Sequence, residues 1–217
     1  MKRQIRKCVF ETNSSSMHSV VVMKDGKKLG PSDFIAHTYS DGSRDYWNVP
    51  LNVNGEWDLR DEDMEFGREY QWLVGFEDKV EYAIASLAGR YCSHNWLEQI
   101  EDTVREVVPE FAGFVFRKGS YWDDEDESMD YYGYVDHQSQ ELLTNFLYSE
   151  QISLHDFLLD EHYVIITDDD SCSFQRLCAT GKIDISKIDR VVDECESYDN
   201  IDTLVEEWKK WDESTGW

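Results

Sequence analysis

The sequence predicts a single α+β domain in which an antiparallel or mixed sheet packs with several helices. Short β-branched runs occur along the chain, and segments with apolar residues at helical spacing lie between them. Apolar residues make up 41% of the 217 residues and aromatic residues 14%, a content that disordered chains lack and that suffices for a core. No repeat, heptad seam or low-complexity linker divides the chain, so we predict one domain over residues 1–217.

The first part of the chain is predicted to consist mainly of strands. Cys8–Phe10 and Ser19–Met23 are apolar runs, and Asp25-Gly26 is a favourable turn pair after the second run. Residues 38–75 are rich in Gly, Asn, Asp and aromatic residues and lack a sustained helical period, which indicates irregular or short-stranded structure. Three tryptophans of this region are expected to reach the core: Trp47, Trp57 and Trp72.

Two helices are predicted in the middle of the chain. Apolar residues recur at helical spacing from Phe76 to Leu87, and again from Leu97 to Val108, where Pro109 ends the pattern. The remaining predicted elements are strands at Gly113–Lys118, Tyr131–Val135 and Tyr163–Thr167, a helix at Glu141–Tyr148 and a last helix from about Asn200. The run YVIIT is continuously apolar and β-branched, as is typical of a buried strand.

Charge divides the chain into a basic N-terminal β segment, residues 1–30, and an acidic body, residues 31–217. The segment has seven basic and two acidic side chains, a net charge of +5, and the body has 14 basic and 44 acidic side chains, a net charge of −30. Such a body repels phosphate backbones, which argues against direct nucleic-acid binding. It could instead attract a basic protein surface, or serve only to keep the chain soluble.

Cysteine usage and the N-terminus predict a cytoplasmic protein. The five cysteines form an odd set without CxxC or a Cys/His ligand spacing, so we expect reduced thiols. The basic start MKRQIRK leads into only a short apolar stretch, which predicts neither a signal peptide nor a membrane span.

Three polar clusters follow strand-like segments. The N-terminal polar cluster contains Thr12, Asn13, Ser14, Ser15, Ser16, His18 and Ser19. The central polar cluster contains Asp136, His137, Gln138 and Ser139, directly after YYGYV. The aspartate cluster contains Asp168, Asp169 and Asp170, directly after YVIIT. If the three clusters meet in the fold, they would form one polar centre.

These clusters hold the side chains that an enzyme would need. His18 or His137 could act as general base, with Ser15 or Ser16 as nucleophile or phosphate ligand. Further roles are assigned by residue type: Asp136, with Asp168 and Asp169, would hold a divalent metal or orient a histidine, and Thr12, Asn13 and Ser14 would contact a ligand.

Three common motifs of catalytic and phosphate-binding sites are nevertheless absent. The sequence contains neither GxSxG, nor a P-loop, nor HExxH. Glu77 and Glu81 are four residues apart on one helix face, but no histidine completes a di-metal pattern. Ser, Thr and Asn in a loop often bond their own backbone, and Asp168–Asp170 could cap a following helix. A purely structural role of the clusters therefore stays open.

Two acidic stretches are candidate surfaces for a basic partner. One is the run Asp123, Asp124, Glu125, Asp126 and Glu127, which lacks the glycine and the spacing of an EF-hand loop. The other is Glu56–Glu69. Both would attract a basic protein by charge complementarity.

The polar clusters also carry a resemblance to a known group. KCVFETNSSSMHSVVV, residues 7–22, resembles the N-terminal block of uncharacterised proteins from phages and mobile elements of Gram-positive bacteria, which runs roughly F-E-T-N-S-S-S-x-H-S. Tyr134–Ser139 and Tyr163–Ser171 are similar to two later blocks of that group. The chain differs at Met17, where Thr is more usual, and at Asp170, where Asn is expected. The resemblance implies a phage or prophage origin and a shared polar centre, and it implies no reaction.

Two functions from different classes fit these observations. An acidic phage-type accessory protein would bind and inhibit a host or defence protein in the cytoplasm of the infected or lysogenic cell, for instance by occluding a basic nucleic-acid-binding surface. A metal- or phosphate-dependent hydrolase or transferase would use the three clusters. A virion or assembly component is a third hypothesis. We favour the binding protein, because it accounts for the acidic body without an unseen motif.

Overall fold

The computed structural model confirms the α+β prediction. The residues that it describes are 18–60, 63–67, 70–87, 95–117, 133–135, 139, 141–167, 184–193, 197–198 and 206. The strands are β1 (Ser19–Met23), β2 (Ile35–Thr38), β3 (Arg44–Tyr46), β4 (Glu56–Arg60), β5 (Glu65–Phe66), β6 (Gln71–Leu73), β7 (Gly113–Arg117), β8 (Tyr134–Val135), β9 (Tyr163–Thr167), β10 (Ile188–Asp193) and β11 (Ser197–Tyr198). The helices are α1 (Pro31–Phe34), α2 (Phe76–Leu87), α3 (Trp96–Val107), α4 (Leu142–Glu150) and α5 (Leu154–Leu159), and one 3₁₀ turn spans Ile185–Lys187.

The largest sheet has the strand order β11-β10-β1-β9-β6, and all its neighbouring strands are antiparallel. β1 lies at its centre, where Val20 is opposite Ile165 of β9 and Val192 of β10. Val20 and Ile165 belong to the main core, whereas Val21 and Val164 pack in a second, smaller core. Burial of both faces explains why β1 is a continuous valine run.

Three further strand pairs complete the mixed architecture. β4 pairs with β7 and β5 pairs with β8, both in parallel, and β2 and β3 form an antiparallel hairpin. Gly133, directly before β8, has a φ of 86° and lies against Met64, directly before β5. A Cβ atom there would lie 2.6 Å from the Cβ of Met64, so only glycine fits.

α2 and α3 turn their apolar faces to the main core, as the helical spacing of their apolar residues predicts. α2 buries Val80, Ala83, Ile84 and Leu87 completely, and α3 buries its Ile100/Val104/Val107 face and ends two residues before Pro109. α2 contacts α3, α4 and α5, which makes it the central helix of the layer.

Several expectations differ from the structure. Trp57 is fully buried as expected, but Trp47 is 61% exposed, because it follows the outlying β2–β3 hairpin. The short helix α5 and the strand β10 were not predicted. The predicted strand at Cys8–Phe10 lies outside the described residues, as does the predicted last helix except for Glu206, which is helical.

Within the part of the chain that the structure describes, no helix has the length and apolar character needed to cross a bilayer.

Candidate functional site

Two of the three polar clusters meet in the fold. His18 directly precedes β1, and its backbone N–H donates a hydrogen bond to Ser139 Oγ at 3.3 Å. The two residues are 121 positions apart in the chain, and both are fully buried. This hydrogen bond joins the N-terminal and central polar clusters at these two members.

The last residue of β9, Thr167, lies beside His18. Ser19 is opposite Ile166 in the β1–β9 pair, so the antiparallel register places His18 opposite Thr167. Thr167 is fully buried, and its hydroxyl donates to Gln71 Oε1 of β6 at 2.9 Å. The described part of β9 ends there, and Asp168, Asp169 and Asp170 lie outside the described residues.

The sequence reasoning missed one member of this arrangement, Tyr82 of α2. Its hydroxyl oxygen lies 3.0 Å from His18 Nδ1, and the two rings are tilted by 51° with centroids 5.7 Å apart. Tyr82 is fully buried, and its ring also packs edge-on against Phe66. The hydroxyl of a buried tyrosine is usually hydrogen-bonded, and this rule was the one available indication that Tyr82 has a polar partner. We call His18, Gln71, Tyr82, Ser139 and Thr167 the polar centre.

The burial of His18 bears on its predicted role as general base. A base must come within hydrogen-bond reach of the proton that it takes from the substrate. His18 is fully buried and holds Tyr82 through Nδ1 and Ser139 through its backbone. The described geometry therefore favours His18 as an anchor, and its catalytic role stays a prediction.

The other predicted site residues lie outside the described residues. They are Thr12, Asn13, Ser14, Ser15, Ser16, Asp123, Asp124, Glu125, Asp126, Glu127, Asp136, His137, Asp168 and Asp169. Among the residues that are described, no group of three or more His, Cys, Asp and Glu side chains is arranged to hold a metal ion. The predicted divalent-metal site at Asp168 and Asp169 thus stays a prediction.

A second arrangement lies on α2 and was not predicted as a site. Burial, together with the nearby carboxylates of Glu77, Asp78 and Asp63, raises the pKa of Glu81 to about 8. Burial likewise raises the pKa of Glu77, with a contribution from Asp78. We call Asp63, Glu77, Asp78 and Glu81 the α2 acidic cluster.

Lys79, the basic residue of the same helix α2, has a different environment. Lys79 is fully buried, and burial lowers its pKa to about 8. Its Nζ donates to the carbonyl oxygens of Phe157 at 3.1 Å and Asp160 at 2.8 Å, and it lies 5.6 Å from the centre of the Phe157 ring. These carbonyls belong to the C-terminal end of α5, where a cation is favourable. Lys79 therefore fastens α2 to α5.

The outer face of α3 is the most acidic described surface on a helix. Glu98, Asp102 and Glu106 are exposed there. Arg105, the one basic residue of the helix, contacts Glu101 at 2.6 Å and Asp102 at 3.0 Å, so its charge is already matched within the helix. We call this surface the α3 acidic face.

Comparison of the chain with protein-family models, with curated proteins and with solved structures finds no match.

Proposed function

We propose that the protein acts by binding a basic protein and inhibiting it, and that its partner is a host or defence protein of a phage-infected bacterium. The observation that carries this proposal is the α3 acidic face, where the carboxylates outnumber the single arginine and that arginine is already paired. Together with a net charge of −25, this face offers a negative surface that a basic nucleic-acid-binding groove would complement.

The test is capture of a partner from a host lysate with wild-type protein and with a triple variant, Glu98→Lys, Asp102→Lys and Glu106→Lys. We expect a stoichiometric basic partner that wild-type protein retains at low salt and loses at high salt, and that the variant does not retain. Exposed charge pairs are screened by salt, which is the reason for the salt step.

A control variant with the same change in net charge distinguishes an effect of the α3 acidic face from an effect of the overall acidity of the protein. The triple variant Asp25→Lys, Glu141→Lys and Asp189→Lys changes three exposed acidic residues away from α3. It should retain the partner. Equal loss in both variants, or a partner that binds independently of salt, would contradict the assignment to the α3 acidic face.

A second function is favoured by one specific contact, the hydrogen bond between His18 and Ser139. In this alternative the protein is a metal- or phosphate-dependent hydrolase or transferase, with His137 as base, Ser15 or Ser16 as nucleophile, and Asp168 with Asp169 as metal ligands. The joined clusters support it, because the candidate residues adjoin the polar centre in the chain.

Thermal unfolding with Mg²⁺, Mn²⁺ or Zn²⁺ tests this alternative. A ligand that binds the folded state raises the melting temperature, and Asp168→Asn should abolish the rise while leaving the metal-free melting temperature nearly unchanged. If none of the three ions produces a rise, or if Asp168→Asn leaves it intact, the metal-dependent alternative is wrong.

A further inference from the structure

The β2–β3 hairpin presents aromatic side chains to solvent. His37 is opposite Asp45 in the register, the rings of His37 and Tyr39 meet edge to face with centroids 4.5 Å apart, and Tyr39 donates its hydroxyl to Asp45 Oδ2 at 2.6 Å. These contacts place the three side chains on one face of the hairpin. Tyr39 is 47% exposed, and His37 and Asp45 are exposed as well.

Trp47 continues this face. Its backbone N–H donates to the Phe34 carbonyl at 2.7 Å, which extends the hairpin ladder beyond Tyr46. Because side chains alternate along a strand, Trp47 lies on the same side as Asp45. Tyr46 lies on the opposite side, where its hydroxyl donates to Glu110. We call His37, Tyr39, Asp45 and Trp47 the outer hairpin face.

The composition of this face is that of a protein interface. Tryptophan is highly buried on average, yet the Trp47 side chain is 61% exposed, whereas Trp57 is fully buried in the core. Exposed Trp and Tyr are the residues that most often contribute binding energy between proteins, because they bury a large rigid area with little loss of conformational entropy. The outer hairpin face displays one of each beside a carboxylate.

Charge determines the chemistry of the partner that fits. Asp45 contributes one carboxylate, and Asp41 at the hairpin turn adds a second, which accepts from the Ser43 N–H at 3.0 Å and the Ser43 hydroxyl at 2.7 Å. Arg44 lies on the other face of the hairpin, since neighbouring residues of a strand alternate. Within the described chain, no Lys, Arg or His forms an ion pair with Asp45. A cation from a partner would therefore complement this face.

The spacing of indole and carboxylate suits an arginine side chain. Asp45 and Trp47 are two residues apart on one side of a strand, so their side chains emerge about 7 Å from each other. A guanidinium stacks over an indole within about 6 Å of the ring centre and still has N–H groups to donate to a carboxylate. The bond from Tyr39 engages Asp45 Oδ2, which leaves Oδ1 as an acceptor among the described residues.

We propose that the outer hairpin face docks an arginine-bearing segment of the basic partner, with the guanidinium stacked on Trp47 and hydrogen-bonded to Asp45. The hairpin adjoins α3, because Glu110, which accepts from Tyr46, lies three residues beyond the end of that helix at Val107. One partner can therefore contact the α3 acidic face and the hairpin together. This inference rests on the proposed function and adds an aromatic contact to it.

The test follows the indole N–H signal of Trp47 in the full-length protein, labelled with ¹⁵N at its tryptophans and assigned by comparison with Trp47→Phe. The probe is a capped heptapeptide in which glycine and arginine alternate, because an extended chain of this pattern presents its arginines on one side. We expect a saturable shift of the Trp47 signal that weakens at high salt. The same peptide with citrulline in place of arginine is neutral and should not shift it.

Two pairs of matched variants, titrated by calorimetry, locate the contact. Asp45→Asn should weaken the arginine peptide roughly threefold, whereas Asp189→Asn, which removes an equal charge from the exposed side of β10, should behave like wild type. Trp47→Ala should weaken it roughly threefold as well, and Tyr148→Ala, at a residue that is 87% exposed on α4, should not. All four residues are exposed, so the melting temperatures should stay close to that of wild type. An unmoved Trp47 signal, an equal shift with the citrulline peptide, or equal affinities within either pair would overturn the docking surface.

This result is separable from the fate of the proposed function. If the peptide leaves the Trp47 signal unmoved but the lysate partner still binds and depends on the α3 acidic face, the hairpin contact is wrong and the basic-partner proposal stands. If the peptide binds at Trp47 but no basic partner is captured, the arginine-docking surface stands and the proposal of an inhibited basic protein fails.

Discussion

Lys79 and Glu81 are two ionisable groups on one helix, and burial moves the pKa of each to about 8. Lys79 has two carbonyl acceptors and an aromatic ring around it. Glu81 has three other carboxylates and one indole N–H around it. Both groups are thus desolvated, but Lys79 has hydrogen-bond acceptors for its charge, whereas Glu81 is surrounded mainly by groups of its own charge. The comparison indicates that Lys79 stabilises the fold, whereas ionisation of Glu81 opposes it.

The largest expected effect is the loss of the Lys79 anchor. Lys79→Ala removes a buried side chain and leaves the carbonyls of Phe157 and Asp160 without their donor. We expect the free energy of unfolding at pH 7 to fall by about 3 kcal/mol, measured by urea denaturation. Lys79→Met keeps the aliphatic volume and should lose less. A change below about 0.5 kcal/mol in Lys79→Ala would show that the anchor is not structural.

Glu81→Gln should act in the opposite direction. The folded-state pKa of Glu81 lies above its unfolded value of 4.5, so its stabilising contribution is complete below pH 4.5 and is lost as the pH rises to about 8. The variant should match wild type at pH 4 and exceed it at pH 9 by at least about 1.4 kcal/mol, the equivalent of one pKa unit, on urea unfolding at both values. Destabilisation at pH 9 would mean that the carboxylate already has a partner.

The sequence predicted the elements that repeat one clear pattern. β1, β9, α2 and α3 follow from apolar runs or helical spacing that burial on the sheet or core requires. α5 was missed because its six residues are too few to establish a period. Trp47 and Trp57 look alike in the sequence, yet only the second faces the core, since exposure depends on the tertiary position of each strand.

The candidate sites, like the secondary structure, could be predicted from the sequence only in part. The sequence placed Ser, His and Asp residues after strands but left open whether the clusters meet, and the fold brings His18 and Ser139 together. Tyr82 could not be assigned to them, because it lies within a helix pattern that marks it only as a core residue. Glu81 was visible as one of two glutamates on a helix face, but its burial and the approach of Asp63 are set by tertiary packing.

Tyr82→Phe extends the comparison to a third residue of α2. The change leaves His18 Nδ1 without the hydroxyl that lies 3.0 Å away, and a lost buried hydrogen bond costs about 1 to 1.5 kcal/mol. Urea denaturation should detect this loss. The matched control is Tyr148→Phe, whose residue is 87% exposed and whose change should be close to zero. Equal effects in the two variants would remove Tyr82 from the polar centre.

The smallest effect is expected on α3. Arg105→Ala removes contacts to Glu101 and Asp102, but Arg105 is exposed, and surface ion pairs contribute little. The free energy of unfolding should change by less than about 0.5 kcal/mol, and the effect should shrink further in 1 M salt. A larger, salt-independent change in urea denaturation would show that the α3 acidic face supports the fold as well as presenting charge.

Among the described residues no cation compensates the partly buried Glu81 on α2, and direct titration of this carboxyl is the simplest test of its environment. The free, full-length protein would be labelled with ¹³C at the glutamate side-chain carboxyls, and Glu81 would be assigned by comparison with Glu81→Gln. We expect a Glu81 carboxyl signal that titrates with a pKa of about 8. A pKa near 4.5, the ordinary value for glutamate, would show that Glu81 is neither desolvated nor surrounded mainly by other carboxylates.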